Sequence, residues 1–399
     1  MTKKTSLTII SVMIILTLIL MNYPSLARVY HAMTLFNEDR IVQNFSNMDM
    51  MFETIEVEKP DSVYTFARSE QSLPTHYHYN GRQRNLEDFL DRTRTTALLV
   101  LKGDDIKFEE YYLGTQAEDL RISWSVSKSF LSALFGVAVN EGSITNLEDP
   151  VTQYVPELSG SGYEGVSIKN VLQMSSGVRF DENYNQFNSD INRFGRLMAF
   201  GGSFDEFAAS LVNERKPGTF LNYVSLDTHV LGMVLRKATG HKFVDYFGDR
   251  LWSQIEAEDS ALFMTDEHKE PMVLGGMNIR TRDFARFGKL YRDGGVWNDK
   301  QIVPAQWVSD SITPDAPHLV PGERDTSELD LGYGYQWWIP ENADGEFMAI
   351  GIYDQFIYVN QKADVVIVKN SANTRFMEND FESTTETVEV FRAIVSAMQ

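Results

Sequence analysis

Ser125 and Lys128 stand three residues apart in the stretch RISWSVSKSF, Arg121 to Phe130. On a helix that spacing puts both side chains on one face. A serine hydroxyl is a poor nucleophile near neutral pH and needs an adjacent base. A lysine can serve once burial or a nearby charge favours its neutral amine. The start of a helix adds unpaired N–H groups and the positive end of a dipole, which favour negative charge on an attacked carbonyl oxygen. The same tetrad also reads as an N-cap serine with a surface lysine. Its surroundings favour the chemical reading: Trp124 and Phe130 flank it, and the FLSALFGVAV that follows is apolar on most faces. A lysine in the first turn of such a helix is partly desolvated.

A second group lies in FLNYVSLDTHVLG, where Tyr223 and Ser225 come just before a helical pattern. Tyr223 is either a core aromatic or a phenol able to pass protons between nucleophile, lysine and leaving group. Ser225 is either an N-cap or part of the same site.

Other chemistries find little support. The chain has no cysteine, which removes disulfides, thiol nucleophiles and cysteine–zinc sites. Gly160 to Gly165 (GSGYEG) fits the dinucleotide pattern G-x-G-x-x-G, but no strand precedes it, so a loop is expected. His76 and His78 lack a third ligand at metal spacing and read as a surface loop. H-E-x-x-H, G-x-x-x-x-G-K-[ST] and G-x-S-x-G are absent. With 36 basic against 56 acidic residues and a formal charge of -20, nucleic acid is not an expected partner.

The elements that must position these residues can be sketched along the 399 residues. Lys3 and Lys4 precede an apolar run, Leu7 to Met21, with small residues at Ser25-Leu26-Ala27. Residues 1–27 therefore read as a secretory signal or an uncleaved membrane anchor, either of which places the body outside the cytoplasm. Residues 28–85 read as an irregular polar extension wrapping the main body, 86–399. That body opens with a helix near Leu86. TALLVLK (Thr96 to Lys102) and KFEEYYL (Lys107 to Leu113) form a hairpin about Gly103-Asp104-Asp105, and a helix then ends at Gly142. Residues 143–282 look mostly helical, broken by glycines, with VSIKNVLQMSSG and SLDTHVLGMVLRKATG both ending on a C′ glycine. YGYQWWI, FMAIG, QFIYV and DVVIVKN return to strands, and a last helix spans Phe381 to Met398. Strands at both ends imply one sheet built from distant segments, with a helical subdomain inserted.

Taken together, SWSVSKSF, LEDPVTQYVPEL, VSIKNVLQMSSGV, FLNYVSLDTHVLG, GGMNIRTRDFARFGKLYRDGGVWNDKQIV and YGYQWW, in that order, resemble the serine β-lactamase and penicillin-binding-protein superfamily. The likeness is on the class C side and nearest the esterase and 6-aminohexanoate-dimer hydrolase-like branch. It implies an α/β (α+β) fold: a mainly antiparallel sheet flanked by helices, beside an all-helical subdomain, with the site in the cleft between. It also implies Ser125 as nucleophile, Lys128 as its activating partner, and Tyr223 with Ser225 as the Y-x-N/S motif. The third family motif, K/H-T/S-G, falls on Ala349-Ile350-Gly351. Gly351 then lies against substrate, and the Ile352 N–H completes an oxyanion hole with that of Ser125. Alanine in place of the basic residue cannot hold a substrate carboxylate, so an ester or a weakly charged amide is expected. D,D-peptidase or β-lactamase activity is the alternative within enzymes. A non-catalytic, membrane-anchored ligand-binding or sensor module is the alternative outside them. No metal or organic cofactor is expected, and the membrane enters only through the N-terminal segment.

Overall fold

A central strand buried on both faces carries two apolar sets, one for each face. TTALLVLK does this: Leu99 and Leu101 face one core, Leu98 and Val100 the other. VVIVKNS repeats it, with Val366 and Val368 on the first side and Val365 and Ile367 on the second. The computed structural model describes residues 23–322, 329–379 and 381–399. It pairs these two segments antiparallel at the middle of an eight-stranded sheet.

In chain order the strands of that sheet are β1 (Ala67–Arg68), β2 (Thr95–Lys102), β3 (Asp105–Tyr111), β4 (Gly332–Tyr333), β5 (Trp338–Ile339), β6 (Glu346–Gly351), β7 (Gln355–Asn360) and β8 (Val365–Ser371). Their spatial order is β4-β5-β6-β7-β8-β2-β3-β1, antiparallel throughout except for β1 on β3. The helices Ser127–Asn140 and Thr281–Arg292 contribute Phe130, Phe284 and Phe287 to the first core. The helix Glu382–Ala397 contributes Phe391 and Ile394 to the second. Gly288 explains the close approach of Thr281–Arg292 to the sheet. A Cβ there would lie 2.4 Å from Val366 Cγ1 and 2.9 Å from Ile357 Cγ2, so any side chain would push the helix off β7 and β8.

Within residues 143–282, expected to be mostly helical, Ala261–Met264 and Met277–Arg280 are strands. They join Thr54–Val57 and Leu120–Ile122 in a separate four-stranded antiparallel sheet. Their burial depends on partners far away in sequence, which local periodicity cannot show. His76 and His78 lie not in a loop but on the strand His76–Tyr79, paired with Arg82–Asn85. Asn80 and Gly81 both adopt positive φ, +49° and +70°, the conformation a tight two-residue hairpin turn needs. And the helix in VSIKNVLQMSSG stops at Leu172, well before Gly177, whereas SLDTHVLGMVLRKATG does end on a left-handed Gly240.

The extension is tied down at both ends. Glu386, buried on the last helix, accepts from Arg84 Nη1 at 2.7 Å and from Arg92 and Tyr77. Buried Arg121 donates to Val42 O at 2.9 Å and Ser46 Oγ at 2.5 Å. No helix among the described residues is long and apolar enough to cross a membrane. The signal-or-anchor expectation for residues 1–22 lies outside the described residues.

Candidate active site

Of the serines in SWSVSKSF, only one faces open space. Ser127 Oγ donates to Val273 O at 2.7 Å and Ser129 Oγ to Gln336 O at 2.7 Å, while Ser123 Oγ donates to Trp124 O at 3.1 Å. The Ser127 and Ser129 hydroxyls bolt the helix to distant segments, as satisfied buried polar groups do. Ser125 instead sits on the one-turn 3₁₀ segment Trp124–Val126 that leads into the helix Ser127–Asn140, and it lines a cleft of about 360 Å³. It makes no capping bond, so the N-cap alternative falls.

Trp124 carries the cost of this turn. Its φ is +43°, a region that strains a bulky residue by about 1–3 kcal/mol. Aromatic packing holds it there: Phe45 lies 5.5 Å away, Phe36 5.9 Å and Tyr353 6.2 Å between ring centroids.

Lys128 Nζ lies 2.9 Å from Ser125 Oγ and donates to Leu274 O at 2.7 Å. The side chain is 1% exposed. Burial drives its pKa down to about 7, partly opposed by the negative charge of Glu182. Near neutral pH a large fraction of this lysine is therefore a free amine, as a base for Ser125 must be. Tyr223 closes the triangle. Its hydroxyl bonds to Ser125, its ring centroid is 5.2 Å from Lys128 Nζ, and it stacks on Trp338 at 5.5 Å. Burial and then Glu182 push its phenol well above the usual range. Tyr223 is thus held protonated and can relay or donate a proton, while the lysine is the group able to accept one.

Ser225, expected in the substrate-binding set, is not among the described residues lining the cleft. It is the first residue of the helix Ser225–Thr239, makes no cap, and is buried. Its Oγ donates to Glu182 at 2.6 Å and its N–H donates to the same carboxylate at 3.1 Å. Tyr184 OH adds a third bond at 2.6 Å. Glu182 is the functional candidate that sequence reasoning missed. It belongs to FDENYN, a stretch with neither periodicity nor motif. Burial raises its carboxyl pKa, and Lys128 and its three donors offset part of that. It anchors the segment carrying Tyr223 and supplies the one carboxylate acting on Lys128.

Gly351, at the end of β6, brings that strand against Ser125. A Cβ there would lie 2.6 Å from Ser123 O and 3.2 Å from Ser125 N. Ile352 follows directly and also lines the cleft. The alanine in the family's cation slot, Ala349, points into the core, and Ile350 faces the cleft in its place. Phe180, Leu221, Trp338, Phe376 and Phe381 extend an apolar wall, with Asp181, Glu182 and Asp354 as the acidic members. No lysine or arginine is among the described lining residues, and Asp354 faces the buried Lys369 at 3.9 Å. Gly160 to Gly165 form turns, as expected of a loop. Among the described residues no cluster of three or more His, Asp or Glu could hold a metal ion.

With this geometry in place, comparison with known proteins is decisive. The β-lactamase family model matches residues 82–389. The chain belongs to the β-lactamase family. Within that family it is 32% identical over 299 residues to a 6-aminohexanoate-dimer hydrolase of Paenarthrobacter ureafaciens, covering 73% of this chain and 76% of that protein. In fold, the β-lactamase-type architecture recurs in a putative 6-aminohexanoate-dimer hydrolase from Bacillus anthracis, with a TM-score of 0.80 and 24% identity over 90% of this chain and 95% of that one. A putative β-lactamase from Bacteroides dorei superposes with a TM-score of 0.60 and 21% identity, over 78% and 97%. The protein is accordingly a serine hydrolase of the β-lactamase family, which displaces the reading as a non-catalytic module.

Replacing Glu182 by glutamine tests its influence on the lysine. Removing the negative charge stabilises the ammonium less, so the Lys128 pKa falls further. The acid limb of kcat/KM, which Lys128 is expected to set near pH 7, should move to lower pH. Loss of charge-assisted bonds should lower the plateau by roughly 10-fold. A pH–rate profile from pH 5 to 9 reads both, and an unmoved limb would show that Glu182 does not act on the lysine.

Proposed function

We propose that the protein cleaves an ester or an uncharged amide through an acyl-enzyme on Ser125. The observation that carries this reading is the contact between Ser125 Oγ and the buried, neutral-leaning Lys128 at 2.9 Å, on the wall of an apolar cleft. Lys128 takes the Ser125 proton as Oγ attacks the substrate carbonyl. The N–H groups of Ser125 and Ile352 receive the oxyanion, with Gly351 letting the strand come close enough. Tyr223 passes the proton held by Lys128 to the departing alcohol or amine. Water, deprotonated along the same relay, then attacks the acyl carbonyl and releases the acid, returning the proton to Ser125.

The cleft supports the substrate class. A carboxylate-bearing β-lactam or peptidoglycan stem would meet Asp181 and Glu182 and no cation at the described lining, an unfavourable desolvation without a partner. Lys3, Lys4 and the run Leu7 to Met21 support export of the body.

The test is covalent labelling. A fluorophosphonate probe should modify wild-type protein at Ser125, located by mass spectrometry of the labelled peptide. Folded protein that takes no label ends the nucleophile reading. Turnover of p-nitrophenyl butyrate should exceed that of a chromogenic cephalosporin, and the reverse order would favour the β-lactamase alternative.

A further inference from the structure

The helix Tyr23–Thr34 has two unlike faces. Ala32, and Leu35 just past its end, pack on the main core. Opposite them Leu26, Tyr30 and Met33, at i, i+4 and i+7, are 53%, 51% and 78% exposed, an apolar row along one side of the helix. This helix lies against the short helix Leu197–Phe200, whose Phe200 is 68% exposed. Phe187, 74% exposed, is held beside that short helix by Arg196. The Arg196 guanidinium sits 4.2 Å from the Phe187 ring centroid and donates to the Phe187 carbonyl. Single exposed apolar residues are ordinary, but a grouping of this kind on adjoining elements marks an interaction surface.

The sequence just ahead says what covers it. Residues 7–21 carry no charge and end one residue before the helix begins. The run has fifteen residues, fewer than the roughly 20 apolar residues that a spanning segment uses. A bilayer that accepts this run makes up the shortfall by drawing the following residues into its interface. Those residues are the first turns of Tyr23–Thr34, with Leu26 and Tyr30 leading. Tyr30, whose hydroxyl accepts from Arg40 Nη1 at 2.7 Å, has the amphipathic make-up found at the lipid–water boundary. Taken as the uncleaved anchor, the run Leu7 to Met21 would hold the helix at the bilayer surface.

We propose that Leu26, Tyr30, Met33, Phe187 and Phe200 form a bilayer-docking face that lays the hydrolase body on the membrane surface beside its N-terminal anchor. This reading is independent of the chemistry at Ser125. The segment carrying Phe187 and Phe200 also supplies Glu182 and Tyr184 to the cleft wall, so docking sets how the cleft meets the bilayer.

The cysteine-free chain makes the test direct. Met33→Cys, Phe200→Cys and the control Leu113→Cys, which is 51% exposed past the far end of β3, are each labelled with an environment-sensitive nitrobenzoxadiazole probe. The full-length protein is then reconstituted in phosphatidylcholine–phosphatidylglycerol vesicles. Unchanged thermal unfolding shows that each variant keeps its fold. Probes at 33 and 200 should brighten several-fold and be quenched by spin-labelled lipid, while the probe at 113 stays quenchable by aqueous iodide. Iodide quenching at 33 and 200 in vesicle-bound protein would overturn the proposal, leaving only the anchor in the bilayer. Shielding of both sites from iodide and lipid alike would also overturn it, because protein would then cover the face.

Discussion

Lys128→Met will leave a folded protein whose kcat/KM for a p-nitrophenyl ester is lower by roughly 10³- to 10⁵-fold, the range expected when the base of an activated nucleophile is removed. The acid limb near pH 7 should vanish with the activity, because the group that sets it is gone. Stability provides the control. In the unfolded chain the lysine keeps its proton up to its ordinary value of 10.5, whereas in the folded protein it holds it only below about 7. Between those values the unfolded state binds more protons, so wild-type stability rises with pH across that window. Below it, the folded protein bears the full cost of a buried ammonium. Methionine fills similar volume without charge, so the variant should unfold at a temperature equal to or above wild type at neutral pH. A melt combined with steady-state kinetics checks both halves. Retention of most activity would remove Lys128 as base and leave the contact with Ser125 without a catalytic purpose.

Gly351→Ala should give the second-largest loss, by a different route. The added Cβ would sit 2.6 Å from Ser123 O and 3.2 Å from Ser125 N, so backbone must move. The end of β6 would be displaced from the nucleophile turn, and with it the Ile352 N–H. Loss of one aligned oxyanion donor costs about 10²- to 10³-fold in kcat, while the overpacking itself costs about 1–3 kcal/mol of stability. The ladder from Glu346 to Ile350 stays paired with β7, so the fold should persist. Pre-steady-state acylation by p-nitrophenyl butyrate separates the effects: the acylation rate should fall far more than KM rises. An unchanged acylation rate would place the oxyanion elsewhere.

These two residues differ in how far the sequence alone could reveal them. Ser125 and Lys128 are a local pair. An i, i+3 spacing ahead of an apolar helix is readable because helical geometry is the same wherever the helix lies. Gly351 and Ile352 were reachable only through resemblance, since nothing local says which glycine of many abuts a distant serine. Glu182 was not reachable at all. Its meaning comes from Ser225, Tyr184 and Lys128 converging on it, and such convergence is a property of the folded chain. The missed strands Ala261–Met264 and Met277–Arg280 fail for the same reason, since four-residue segments are identified by their partners. The Asn80-Gly81 hairpin, by contrast, is legible in the sequence, because Asn-Gly is the turn pair that tolerates two successive positive φ angles.

By itself, then, the sequence determined the reactive groups, their local spacing and the two-faced central strands, because these depend only on side-chain chemistry and on periods of 3.6 and 2. The tertiary structure decided which serine is accessible, by giving Ser123, Ser127 and Ser129 carbonyl partners and leaving Ser125 at the cleft. It also set two proton affinities, lowering that of Lys128 and raising that of Tyr223. Both shifts rest on desolvation and on one carboxylate brought in from far along the chain, and neither quantity exists before the chain has folded.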